Sequence, residues 1–65
     1  MIDTEKVKVG DRVRYINHGA SNGIVKEVTD HEYIRVVYHC GGDWDNFMNY
    51  TGAMTAVRDL IYGWK

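Results

Sequence analysis

The residues best suited to chemistry lie in one stretch, where Gly41-Gly42 is followed by Trp44, Phe47 and Tyr50 at a spacing of three, interleaved with Asp43, Asp45, Asn46 and Asn49. Large rings beside short polar side chains suit recognition: the rings offer stacking area at low entropic cost, and the Asp and Asn groups match hydrogen-bond patterns on a ligand edge. The same rings also suit a core, which is the favoured reading for Phe47. Trp44 is open between core and partial exposure, the latter because it is held between two aspartates, which need partners when buried. A second group follows from alternation along Tyr33 to Cys40. In an extended chain Tyr33, Arg35, Val37 and His39 share one face, which would let a phosphate or carboxylate meet a guanidinium, a phenol and an imidazole together. Arg58, with Arg12 and Arg14, completes the candidate anion contacts. The expected ligand-binding set is therefore Tyr33, Arg35, His39, Asp43, Trp44, Asp45, Asn46, Tyr50 and Arg58. The competing reading of Arg35 is a solvated side chain paired with Glu27 or Glu32.

Catalytic chemistry finds less support. Cys40 has His39 as its sequence neighbour, but adjacent side chains on a strand point to opposite faces, so the imidazole cannot activate the thiol. A buried structural thiol is the simpler reading. His18, His31, His39 and Cys40 lack the short paired spacings of zinc sites, and Asp43 with Asp45 lacks the ligand ladder of a calcium loop. Those aspartates are also the one close carboxylate pair in a glycine-rich loop, and no second element supports acid-base work by them. The expectation is a protein with no catalytic residues, no metal and no cofactor.

The elements that must position these groups are small. The chain has 65 residues, 45% of them hydrophobic, with eight basic against nine acidic side chains. A chain of this size buries only about 60% of the surface its unfolded form exposes, so one thin core is expected, which a homo-oligomer would supplement. The single cysteine excludes an intrachain disulfide, and the absence of a signal-like start or an apolar run of about 20 residues points to the cytoplasm and away from membranes. A net charge of −1 weighs against nucleic acid as the main partner, because nonspecific binding to it depends on Lys and Arg.

Seven glycines and no proline divide the chain into strand-length pieces. Val7, Val9, Val13 and Tyr15 fall on one side of an extended chain bent at Gly10-Asp11. Residues 16–23 are dense in turn formers, with Asn22-Gly23 as the tight-turn signal. Strands follow at Ile24–Thr29 and Tyr33–Cys40, the latter with Ile34, Val36, Tyr38 and Cys40 as its core face. A short strand is expected at 47–50, then a helical turn at 55–59 and a last strand at 60–64. The fold class is all-β, with one helical turn before the last strand.

Val7-Lys8-Val9-Gly10-Asp11-Arg12-Val13-Arg14-Tyr15, followed by Asn22-Gly23-Ile24-Val25, resembles the opening of small SH3-like barrels, especially the KOW and Tudor-like kinds. The remainder, Cys40-Gly41-Gly42-Asp43-Trp44-Asp45-Asn46-Phe47 through Tyr50-Thr51-Gly52 and Val57-Arg58-Asp59-Leu60, looks like short uncharacterised proteins of bacteriophages and prophages. Together these resemblances imply one small five-stranded SH3-like barrel domain over residues 1–65, with a single helical turn before the last strand. They also imply a non-catalytic binding protein that takes up a small anionic or nucleotide-like ligand, as in sequestering a host antiviral defence signal. The alternative is a nucleic-acid-binding or protein-adaptor domain.

Overall fold

The computed structural model describes residues 2–17 and 19–64. Five strands, β1 (Arg12–Tyr15), β2 (Ser21–Val28), β3 (Tyr33–Val37), β4 (Ala53–Ala56) and β5 (Leu60–Tyr62), form one antiparallel sheet in the order β4-β3-β2-β1-β5. Two 3-10 helices, Trp44–Asn49 and Val57–Asp59, interrupt the strands. The domain is all-β, as the residue patterning predicts. No helix among the described residues is long and apolar enough to cross a membrane.

The sheet is forced to curl. β4 and β5 are its two edges, and laid flat they would stand roughly 19 Å apart at about 4.8 Å per strand step. The chain has only the 57–59 turn to get from Ala56 to Leu60, a reach of about 14 Å even when fully extended. Hydrogen bonds fix that turn from both sides: Val57 N–H donates to Glu32 O at 2.9 Å, and Ile16 N–H donates to Asp59 O at 2.9 Å. No β4-β5 ladder joins the edges among the described residues.

Curling creates an inner face, which holds the main core of Ile2, Val7, Val13, Val25, Ile34, Val36, Val57 and Leu60. Register explains the membership, since cross-strand partners share a face. Val25 opposes Val36, Val13 opposes Gly23, and Val28 opposes Ile34. The chosen core face of β3 is correct for Ile34 and Val36, with Tyr38 half-buried at the core margin; Cys40 is buried but lies past the end of β3 and outside that core.

A second, smaller buried set lies outside that cluster: Ile24, Val37 and Cys40. Arg12 opposes Ile24, and Ile24 opposes Val37, so these residues define the outer face. The Trp44–Asn49 helix packs against β2, and the Lys26 ammonium reaches across to the Tyr50 carbonyl. Gly52 belongs to the same cover: a Cβ on it would stand 3.0 Å from Arg35 Cβ.

Several expected boundaries are corrected. Residues 47–50 are not a strand; Trp44–Asn49 is 3-10 helix, with Tyr50 N–H closing it onto Phe47 O at 3.1 Å. A 3-10 turn repeats every three residues, so the spacing of Trp44, Phe47 and Tyr50 follows the two turns of this segment, which a kink at Asn46 separates. Burial agrees: these three are half-buried and the residues between them exposed. Thr55 and Ala56 belong to β4, so the helical turn is confined to Val57–Asp59, and the last strand ends at Tyr62. Asn22 and Gly23 lie inside β2, which starts at Ser21; the chain turns earlier, at Asn17 and Gly19. Val9 does not join Val7 and Val13 on a buried face, because it sits in a turn and is 51% exposed. The register slip between Val25 and Glu27 breaks strict alternation in β2, so Val25 and Val28, three residues apart, both face the main core.

Candidate functional site

The sequence-predicted residues separate into three places. In the first, Gly41 and Gly42 take φ values of 61° and 86°, the left-handed region that side chains disfavour, and turn the chain from Cys40 into the 3-10 helix. Asp43 then organises the segment. Its Oδ1 accepts from Asn46 Nδ2 at 2.9 Å and its Oδ2 from the Tyr50 hydroxyl at 3.0 Å. The hydrogen bond to the Asp43 carboxylate raises the Tyr50 hydroxyl above its ordinary value, with desolvation adding to it. Asp43, Asn46 and Tyr50 therefore hold one another, and Asp45 stays exposed beside them.

Trp44 is half-buried because Trp64 meets it, the ring centroids 4.8 Å apart at 55°. Trp64 donates its indole N–H to Gly23 O at 2.8 Å, and the Arg12 guanidinium lies 4.6 Å from the Trp64 ring centre. This stack fastens the 3-10 helix and the segment after β5 to the outer face of the sheet. Its rings are engaged with each other, with Arg12 and with the backbone.

The second place is β3 and its surroundings. Tyr33 and Arg35 are exposed on the outer face, but β3 ends at Val37, which is fully buried, so the expected continuous face from Tyr33 to His39 is interrupted. Arg35 Nε lies 3.7 Å from Glu27 Oε1, and such exposed pairs contribute roughly 0–1 kcal/mol. The internal pairing of Arg35 is thus the one anticipated, and it is weak. Arg58 stands elsewhere, beside a shallow cavity of about 260 Å³ with His31, Glu32 and Val57.

The third place holds His39 alone of the predicted set. An open cavity of about 400 Å³ lies where the inner face runs out of aliphatic residues, lined by Tyr15, Ser21, Tyr38, His39, Asp59 and the whole of β4. Register accounts for the gathering. Tyr15 opposes Ser21 at the end of the β1-β2 pair, Thr55 opposes Ile34, and Ala53 opposes Val36. The two phenol rings meet edge to face, with centroids 6.2 Å apart at 73°. Tyr38 donates to or accepts from Thr55 Oγ1 at 2.8 Å, and Thr55 Oγ1 lies 3.2 Å from the Ala53 carbonyl oxygen. Burial pushes the Tyr38 hydroxyl up, the Thr55 hydrogen bond opposes this, and Tyr15 and Asp59 reinforce it.

Sequence reasoning missed Tyr15, Ser21, Tyr38, Met54, Thr55 and Asp59 as cavity residues. A signal existed for the tyrosines: alternation puts both on the core face, and a phenol there needs a polar outlet for its hydroxyl. Among the described residues no cluster of His, Cys, Asp and Glu could hold a metal ion, and Cys40 is buried. No family model, curated protein or solved structure matches this chain, so its function is argued from this geometry.

Proposed function

We propose that the chain is a non-catalytic binding protein of SH3-like architecture that captures a small nucleotide-like ligand in the tyrosine-lined cavity. The carrying observation is the cavity itself: about 400 Å³, lined by Tyr15 and Tyr38, by the residues of β4 and by a few polar groups. Small-molecule sites have volumes of about 300–1,000 Å³ and combine apolar or aromatic walls with a few orienting polar groups. A flat heterocycle fits such walls by stacking, and His39, exposed on the wall, supplies a group for the anionic part.

The SH3-like reading draws support from the β1-to-β4 meander, from β5 returning to the free side of β1, and from the 3-10 turn before the last strand. A binding role without catalysis draws support from the buried Cys40 thiol and from Asp43, whose carboxylate oxygens both hold the loop together. Capture of a nucleotide signal from a host defence system is the biological role that fits this reading. Calorimetric titration with linear and cyclic nucleotides tests it: saturable binding of at least one is expected, and no heat with any of them overturns the proposal.

A second reading has its own observation. Arg12 and Arg14 share the outer face of β1, with Trp64 against Arg12, a basic-aromatic combination suited to a single nucleic-acid strand. Binding to a labelled oligonucleotide that weakens steeply with added salt supports that reading, and no binding at low salt removes it.

A further inference from the structure

The polar groups of the cavity are ordered in direction, and the order follows from counting hydrogens. Thr55 Oγ1 has one hydrogen and two polar neighbours, the Ala53 carbonyl at 3.2 Å and the Tyr38 hydroxyl at 2.8 Å. The carbonyl only accepts. For both contacts to be hydrogen bonds, Thr55 must donate to Ala53 O, and Tyr38 must then donate to Thr55. The Tyr38 hydrogen is thereby committed to the protein, and its oxygen keeps only lone pairs for a guest. Burial helps to keep Tyr38 protonated and the relay intact. Asp59 places a carboxylate, also an acceptor, on the same cavity.

We infer that this cavity selects an amino-bearing nucleobase, recognised by donation of its exocyclic N–H groups to Tyr38 Oη and the Asp59 carboxylate. The inference rests on the nucleotide-capture reading and adds the identity of the base edge. Discrimination comes from unsatisfied acceptors: a guest that lacks the amino group strips water from Tyr38 Oη and Asp59 and returns nothing. The phenol rings and Met54 contribute equally to either guest, so the amino group alone decides between them.

Adenosine 5′-monophosphate and purine riboside 5′-monophosphate differ only in that amino group and serve as the probe pair. By calorimetry the wild-type protein is expected to bind the adenosine compound about tenfold more tightly or better, the scale of one hydrogen bond to a charged or buried acceptor. Thr55→Val removes one wall hydroxyl, keeps Tyr38 and Asp59 in place and frees the Tyr38 hydrogen to turn toward the guest, so the preference is expected to fall by severalfold. Tyr38→Phe removes the acceptor, keeps the ring and should lower the preference as well; it also serves where Thr55→Val does not fold, as monitored by circular dichroism. Equal affinity of the wild type for both nucleotides overturns the amino-group inference and leaves nucleotide capture standing. Binding of neither overturns both.

Discussion

The Trp64 indole donates to the carbonyl of Gly23 at 2.8 Å, and Gly23 has no room for a side chain of its own: a Cβ there would stand 2.5 Å from Val36 Cγ1 and 3.0 Å from Tyr38 Cδ1. One residue of β2 thus ties the outer tryptophan stack to the inner wall of the cavity. Fastening the 3-10 helix and shaping the binding surface depend on the same backbone position.

Trp64→Phe is expected to lower stability by about 1 kcal/mol through the lost hydrogen bond, with the ring kept. Gly23→Ala is expected to cost roughly 1–3 kcal/mol by overpacking, because the nearest atoms belong to the packed sheet. Denaturant melts followed by Trp fluorescence measure both. A Gly23→Ala protein as stable as the wild type would show that the inner face is looser than described. A double-mutant cycle replacing Trp44 and Trp64 by Ala should return a coupling of about 0.5–1.5 kcal/mol for the ring contact.

How much was legible before the coordinates differs by residue type. The β3 core face could be read because β-branched side chains alternate without interruption from Ile34 to Val36, and alternation is a local property. The 3-10 helix is legible in the spacing of Trp44, Phe47 and Tyr50, although aromatic residues suit a strand as well. The cavity could not be read. It exists because the short Val57–Asp59 turn curls the sheet and brings Tyr15, Tyr38 and β4 together from distant parts of the chain, a tertiary consequence that no local pattern carries. Arg35 illustrates the middle case: its pairing with Glu27 follows from cross-strand register, foreseeable as one of two options.

The β2-β3 turn gives a pH prediction. Asp30 Oδ1 accepts from Glu32 N–H and Tyr33 N–H, each at 2.8 Å, and these bonds, the first being the stronger influence, hold its carboxyl below the ordinary value. A depressed folded value stabilises the fold above the unfolded value of about 3.9. That contribution fades as pH falls through the lower, folded value. Carbon-detected NMR titration should show Asp30 protonating last among the turn carboxyls. Asp30→Asn should flatten the loss of stability below about pH 4; an unaltered acid profile would contradict the assignment.

Cys40 is 4% exposed, so its thiol should react with an aromatic disulfide reagent only as fast as the fold opens. Reaction is expected to be slow in buffer and complete within the mixing time in denaturant. Rapid native-state labelling would mean that the outer face is not closed over Cys40.

The most direct test of the central claim is a proton-nitrogen correlation spectrum of the labelled protein titrated with adenosine 5′-monophosphate. The account predicts shifts concentrated at Tyr15, Ser21, Tyr38, His39 and Met54 to Asp59, saturating together with one affinity. Shifts confined to Arg35 and Arg58, or a spectrum unchanged at saturating nucleotide, would contradict it.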